Sequence, residues 1–248
     1  MISRAGSGVG APGHRPSSAA GSLDSSRLMR DLPGILLVAT IWAYWFGVGI
    51  MIGRSRRDIH HLGGLLPEQR QEQYLWLLWV PLVAAWNVVP YLALWRANAP
   101  WALPAFARQE SYALVRGLAA PCALGSLLAT SVCWARMGRH WRMDASVEKG
   151  ELITDGPFRH VRHPIYALQR LLMLASLAIV PTWPMLALVL VHFVLTQVKA
   201  RYEERQLTAV HGSVYRDYAE RTGRFVPTWR VWKPRSAASR RSIPGGES

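Results

Sequence analysis

Residues 33–53 read Pro33-Gly-Ile-Leu-Leu-Val-Ala-Thr-Ile-Trp-Ala-Tyr-Trp-Phe-Gly-Val-Gly-Ile-Met-Ile-Gly53, a run with no charged side chain. At about 1.5 Å per residue a helix of this length covers roughly 30 Å, the thickness of a bilayer's hydrocarbon core. Such a run has no place on the surface of a water-soluble domain. Tyr74 to Trp95 is a second uncharged run, and Gly117 to Trp134 a third. Ile165 to Val180 and Thr182 to Val198 follow, separated by Pro181 and interrupted once, by Arg170. Five apolar segments predict an all-α, polytopic membrane protein with about five transmembrane helices. The whole-chain averages conceal this segregation: 248 residues, 18% charged, 12 Trp and a mean hydropathy of only +0.08.

The charge is strongly positive, with 29 Lys and Arg against 15 Asp and Glu and a formal net charge of +14. Basic loops are retained on the cytoplasmic side. The link 54–73 carries four basic residues and the link 135–164 six, against three in 96–116 and none at the Pro181 corner. Eleven more follow Val198. This places the N-terminus outside and the C-terminal region in the cytoplasm, against the opposing pull of four Arg before the first span. The charge is thus accounted for by topology and by anionic headgroups of the lipid bilayer. No nucleic acid is expected, since the aromatics lie in the spans and not among the basic residues.

The expected organisation is a disordered tail over residues 1–26, N-terminal transmembrane helices over 27–134, a C-terminal functional region over 135–228 with two spans, and a disordered basic tail over 229–248. The first span reads as a retained anchor, because it is too long for a signal h-region. Cys122 and Cys133 lie eleven residues apart in the third span, roughly 16 Å along a helix, too far to pair. Gly8 to Gly13 formally satisfies a dinucleotide fingerprint, yet no strand precedes it and Pro12 interrupts it. His160 and His163 sit at i, i+3 without a third ligand at suitable spacing, and His60 and His61 are adjacent, so no metal is expected.

Two hydrophilic stretches carry the chemistry. Glu151 to Tyr166 contains a turn at Gly156-Pro157, then Arg162-His163-Pro164, where Pro164 opens a helix at the membrane surface. The second stretch, Lys199 to Pro227, places Lys199 and Glu203 four apart on one helix face and breaks at Gly212 before Tyr215 and Tyr218. The turn at Pro181 returns both stretches to the same membrane face.

Gly156-Pro157-Phe158-Arg159, Arg162-His163-Pro164-Ile165-Tyr166, Glu203-Glu204 with Leu207, and Gly212-x-x-Tyr215-x-x-Tyr218-x-x-Arg221 occur here in order. In these motifs the chain resembles the isoprenylcysteine carboxyl methyltransferases and their relatives, the phospholipid N-methyltransferases, over roughly residues 138–227. The resemblance implies an S-adenosyl-L-methionine-dependent membrane methyltransferase. Its cofactor pocket would be cytoplasmic and built by the C-terminal half, and its lipid-like or prenylated substrate would enter from the bilayer. It implies cofactor contacts at Leu152, Ile153, Phe158, His163, Pro164, Ile165, Tyr166, Glu203 and Glu204. Lys199 and Arg162 would orient the acceptor, which is expected to be a carboxylate. Lys199 stands where the family carries an Arg, Leu168 where it carries a Gly, and His211 where it carries a Phe. The alternatives are a phospholipid or small-lipid N-methyltransferase, an NADPH-dependent enzyme resembling sterol reductases, and a non-enzymatic membrane protein. The expected location is a bacterial inner membrane, with an endomembrane as the alternative.

Overall fold

The computed structural model describes residues 25–58, 70–96, 101–138 and 152–228, with side chains from 31–54, 74–96, 101–138 and 152–228. The Gly8–Gly13 stretch, His60-His61, nearly all of the tail assigned to 1–26 and the basic tail 229–248 lie outside those residues. Among the described residues there are six α-helices, in order α1 Ser25–Asp58, α2 Arg70–Trp95, α3 Glu110–Met137, α4 Pro164–Ile179, α5 Trp183–His211 and α6 Ser213–Arg221. Short 3-10 turns at Ala105–Arg108 and Gly156–Arg159 precede α3 and α4. There are no strands among the described residues, only a single parallel bridge between Val161 and Gly223.

Helices α1, α2, α3 and α5 are long and apolar enough to cross a membrane, and α4 is a shorter apolar helix. Its 16 residues amount to roughly 24 Å, less than the roughly 30 Å core. Two prolines set that length, Pro164 opening the helix and Pro181 following its last turn. Prolines inside the long helices, Pro33, Pro81, Pro90 and Pro121, are compatible with a bilayer-embedded bundle.

The helices pack as a closed ring, α1 on α2, α2 on α5, α5 on α4, α4 on α3 and α3 back on α1. Aromatic side chains fill the middle. Tyr44 packs against Trp45, Trp86 and Trp134 at centroid distances of 5.5, 6.3 and 5.3 Å. Trp86 donates its indole N–H to Ser176 Oγ at 3.2 Å, tying α2 to α4. Leu172, Met173, Ile179 and Met185 are fully buried beside it. Gly47 admits the Trp134 ring to α1, since a Cβ there would lie 2.6 Å from it. The outward side chains are equally apolar. Phe46, Leu77, Leu114, Leu118 and Val194 are all more than 60% exposed, which suits lipid and not water. Cys122 and Cys133 are free thiols.

The C-terminal helices bring the hydrophilic stretches together. Arg136 at the end of α3 pairs with Asp155 at 2.9 Å, just before α4. The end of α3, the start of α4 and the end of α5 therefore share one face of the bundle. Gly212 turns the chain from α5 into α6 at φ 56° and ψ −122°, a region that L side chains rarely adopt. Beyond α6 the chain returns to the front of α4, where Gly223 O and Arg224 O accept from Arg162 N at 2.8 Å and His163 N at 3.0 Å. Gly212→Ala is expected to destabilise the protein by about 1–2 kcal/mol through this backbone strain, measured as a lower denaturation midpoint in detergent. An unchanged midpoint would show that the turn tolerates a side chain.

Candidate active site

His163 is the N-cap of α4, and its imidazole is inserted between the two consecutive carboxylates of α5. Nδ1 lies 3.4 Å from Glu203 Oε2, and Nε2 lies 3.3 Å from Glu204 Oε1. The Nε2 contact is at ion-pair distance without hydrogen-bond alignment. Facing an acid with each nitrogen favours the imidazolium, the only form in which both nitrogens carry protons. Burial alone would push the imidazole down, but its contacts with Glu203 and Glu204, reinforced by their charges, outweigh it and hold the group above its ordinary value.

A raised folded-state value fixes the sign of the pH dependence. The stabilisation by His163 is complete below the unfolded-state value of about 6.5 and disappears as pH rises through the higher folded-state value. The melting temperature of the wild type should therefore exceed that of His163→Gln most at acidic pH, with the gap closing on the alkaline side. A gap constant from roughly pH 6 to pH 10 would contradict a protonated His163.

The two carboxylates have different surroundings. Glu203 accepts from Tyr166 Oη at 2.6 Å and lies 3.7 Å from Lys199 Nζ, the pair four residues apart on α5. Tyr166 stacks on His163, with centroids 5.6 Å apart and planes at 17°. Glu203 keeps 23% of its side chain exposed. Glu204 is enclosed by guanidiniums, receiving Arg162 Nε at 3.0 Å, Arg224 Nε at 2.9 Å and Arg224 Nη2. The hydrogen bond to Glu204 raises Arg224 above its ordinary value. Arg224 also reaches Gln197, whose amide oxygen, turned toward it, accepts from Nη1 at 2.8 Å.

Arg162 serves the returning chain as well. Its Nη1 donates to Ala219 O at 2.6 Å and to Thr222 O, closing the C-terminal end of α6. Opposite, Tyr218 Oη donates to Phe158 O at 2.7 Å, which fastens α6 to the 3-10 turn before α4. Burial pushes this phenol up to about 12, so it remains a donor. Tyr215 packs edge-on against Tyr218 at 5.9 Å, and its buried hydroxyl has no hydrogen-bond partner among the described residues.

Of the residues singled out from sequence, His163, Tyr166, Lys199, Glu203, Glu204 and Arg162 thus converge through polar contacts. Pro164 forms the first turn of α4 and Ile165 packs half-buried on the core. Phe158 is buried, and its polar link to the cluster runs through its carbonyl. Leu152 and Ile153 are half-buried in irregular chain upstream of the turn. Arg224 was not anticipated, nor was Phe225, whose ring lies 6.0 Å from that of His163. Both follow the last motif residue, Arg221, and no local pattern marks them, because only the return of the chain after α6 delivers them to the site. Among the described residues no group of three His, Cys, Asp or Glu is placed to hold a metal ion.

The fold and the cluster define an integral membrane protein with an ionic site where the front of α4, the end of α5 and the chain after α6 meet. Residues 114–214 match the family model described as phospholipid methyltransferase. The match covers less than half of the chain and supports a membrane methyltransferase acting on a lipid-like substrate. It includes both carboxylates, His163, Tyr166, Lys199 and Arg162, and ends before Arg224 and Phe225. No curated protein matches the chain.

Proposed function

We propose that this cluster is the cofactor side of an S-adenosyl-L-methionine-dependent methyltransferase that methylates a carboxylate on a lipid-like or prenylated substrate, as isoprenylcysteine carboxyl methyltransferases do. The donor set suits that cofactor. Glu203 offers a partly open carboxylate for its ammonium, and the Tyr166–His163 stack an aromatic wall. Leu152 and Ile153, half-buried upstream of the Gly156–Arg159 turn, are assigned to the cofactor by the resemblance alone. When bound, the cofactor supplies an electrophilic methyl carbon and takes up the electron pair of the broken carbon–sulfur bond at sulfur.

The chain's own residues then have to bind, align and exclude water. Tyr166 and His163 hold Glu203 in place, and Lys199, one helical turn before Glu203 on α5, orients the acceptor carboxylate. Arg162, bonded to Glu204 and the end of α6, acts as a positioning residue.

The observation that carries the carboxylate reading is the state of the acids and of His163. A carboxylate nucleophile has no proton to lose, whereas an ammonium headgroup has to be deprotonated before attack. Glu204 is enclosed by Arg162 and Arg224, and His163 is wedged between two acids whose contacts hold it above its ordinary value. Glu203 is bonded to Tyr166 and stands beside Lys199. Each candidate base in the cluster is thus already engaged. The second reading, methylation of a phospholipid amine, is favoured by the family match itself.

Product chemistry separates the two. With methyl-labelled cofactor, N-acetyl-farnesylcysteine and phosphatidylethanolamine as acceptors, a carboxyl methyl ester releases labelled methanol in base and an N-methyl group does not. Base-labile label is the expected outcome; base-stable label on the phospholipid would replace the first reading with the second. Lys199→Ala is expected to lower turnover about tenfold or more, the loss of one charge-assisted contact, while S-adenosylhomocysteine affinity stays within about twofold. Equal loss of both would remove Lys199 from the acceptor side.

A further inference from the structure

Arg170 lies on the α4 face that carries His163 and Tyr166, seven and four residues beyond them. It is roughly 9 Å along the helix from Pro164 at 1.5 Å per residue, toward the bilayer side of the cluster. Its Nε donates to Thr196 Oγ1 at 2.8 Å and its Nη2 to Phe193 O at 2.9 Å, both on α5. The guanidinium carbon stands 3.7 Å from the centroid of Phe225 and 4.9 Å from that of Phe193. Phe225 therefore contacts Arg170 on one side and His163 on the other, linking this guanidinium to the Glu203 cluster. Among the described residues no Asp or Glu pairs with Arg170.

A guanidinium at membrane depth is costly, and such residues face protein, water or a ligand. Tying α4 to α5 through a hydroxyl and a carbonyl needs two neutral donors and no charge. The two rings engage part of that charge, and no acid among the described residues neutralises it. Arg carries five N–H donors in a fixed fork, and the two hydrogen bonds to α5 fix its orientation while Phe225 covers its face. Nη1 is left free of both hydrogen bonds, and the side chain is half-buried, not sealed. A planar cation held this way suits a carboxylate or phosphate, which it binds through paired hydrogen bonds.

We propose that Arg170 is a specificity-determining residue that holds an oxyanion, carboxylate or phosphate, carried by the lipid-like acceptor on the bilayer side of the Glu203 site. The proposal rests on the methyltransferase reading for the identity of the acceptor. The binding itself is measurable without turnover.

The test uses full-length protein in phosphatidylcholine nanodiscs, wild type against Arg170→Gln and Arg170→Lys. Retention of dioleoyl phosphatidate, oleate and dioleoylglycerol is read by native mass spectrometry, with inorganic phosphate as a soluble competitor. The wild type is expected to retain at least one of the two anionic lipids about tenfold better than dioleoylglycerol. Arg170→Gln should abolish that preference and Arg170→Lys, which keeps charge without the fork, should restore part of it. S-adenosylhomocysteine affinity should be the same in all three. If Arg170→Gln does not fold, Phe225→Leu removes the aromatic cover and is expected to weaken the preference severalfold.

Preference unchanged in Arg170→Gln, or in Phe225→Leu where that variant is used, overturns the proposal. Displacement of the lipid by inorganic phosphate at equal concentration overturns its lipid source. Absence of S-adenosylhomocysteine binding in the wild type counts against the methyltransferase reading alone, and is distinguishable because the lipid preference is read separately.

Discussion

Glu203→Gln is expected to reduce affinity for S-adenosylhomocysteine about a hundredfold or more while the protein inserts and folds normally. The substitution keeps the shape of the side chain and its hydrogen bond with Tyr166, and removes the charge that faces the cofactor's ammonium. Losing one partner of a desolvated charge pair costs about 2–5 kcal/mol, which is where the hundredfold originates. The fold is expected to survive because the amide oxygen left at position 203 still accepts from Tyr166, which keeps that link between α4 and α5, and His163 keeps its contact with Glu204. Titration calorimetry of detergent-purified protein, with a thermal melt to verify folding, reads both quantities. A normal melt with unaltered affinity would remove Glu203 from the cofactor's site.

Glu204→Gln is expected to do the reverse and act on the architecture. Its carboxylate is the common partner of Arg162, Arg224 and His163, which come from the front of α4 and the chain beyond α6. Arg162 and Glu204 are only 13% and 14% exposed. Removing the acid leaves these cations facing one another with little solvent to screen them, at a cost of about 3 kcal/mol or more. The melting temperature should fall markedly, and α6 should become the first segment cut in limited proteolysis. Arg162→Gln should have a similar effect, and the double substitution should cost less than the sum of the two, because both remove the same interaction. Full additivity would show that the two side chains act independently. The contrast between neighbouring residues is the point: one acid is left partly open to a ligand and the next is closed by arginines.

Much of the architecture was legible in sequence because burial in lipid removes ambiguity. A run such as 33–53 has to be helical, and its length is fixed by the bilayer. Pro164 and Pro181 marked the ends of α4, although its apolar character masked how short two prolines would leave it. The Lys199–Glu203 pair was legible for a local reason, the four-residue helical spacing. Arg162 was legible as a residue of the site but not in its partners. A basic residue at a helix mouth suits an anionic acceptor, and in the fold its guanidinium joins Glu204 to the carbonyls of Ala219 and Thr222. Arg224 and Phe225 were invisible, since their place depends on the bridge between Val161 and Gly223, a pairing between distant parts of the chain with no local pattern. The ring closure of the helices was invisible for the same reason. Apolar side chains cover both the interior and the lipid face, so periodicity does not distinguish the two.

The most direct test of the central claim is calorimetric titration of the purified wild-type protein with S-adenosylhomocysteine, with NADPH as the comparison ligand. Saturable binding of S-adenosylhomocysteine and none of NADPH is the expected result. Binding of NADPH alone would make the site that of a reductase, and binding of neither would contradict a cofactor pocket at Glu203.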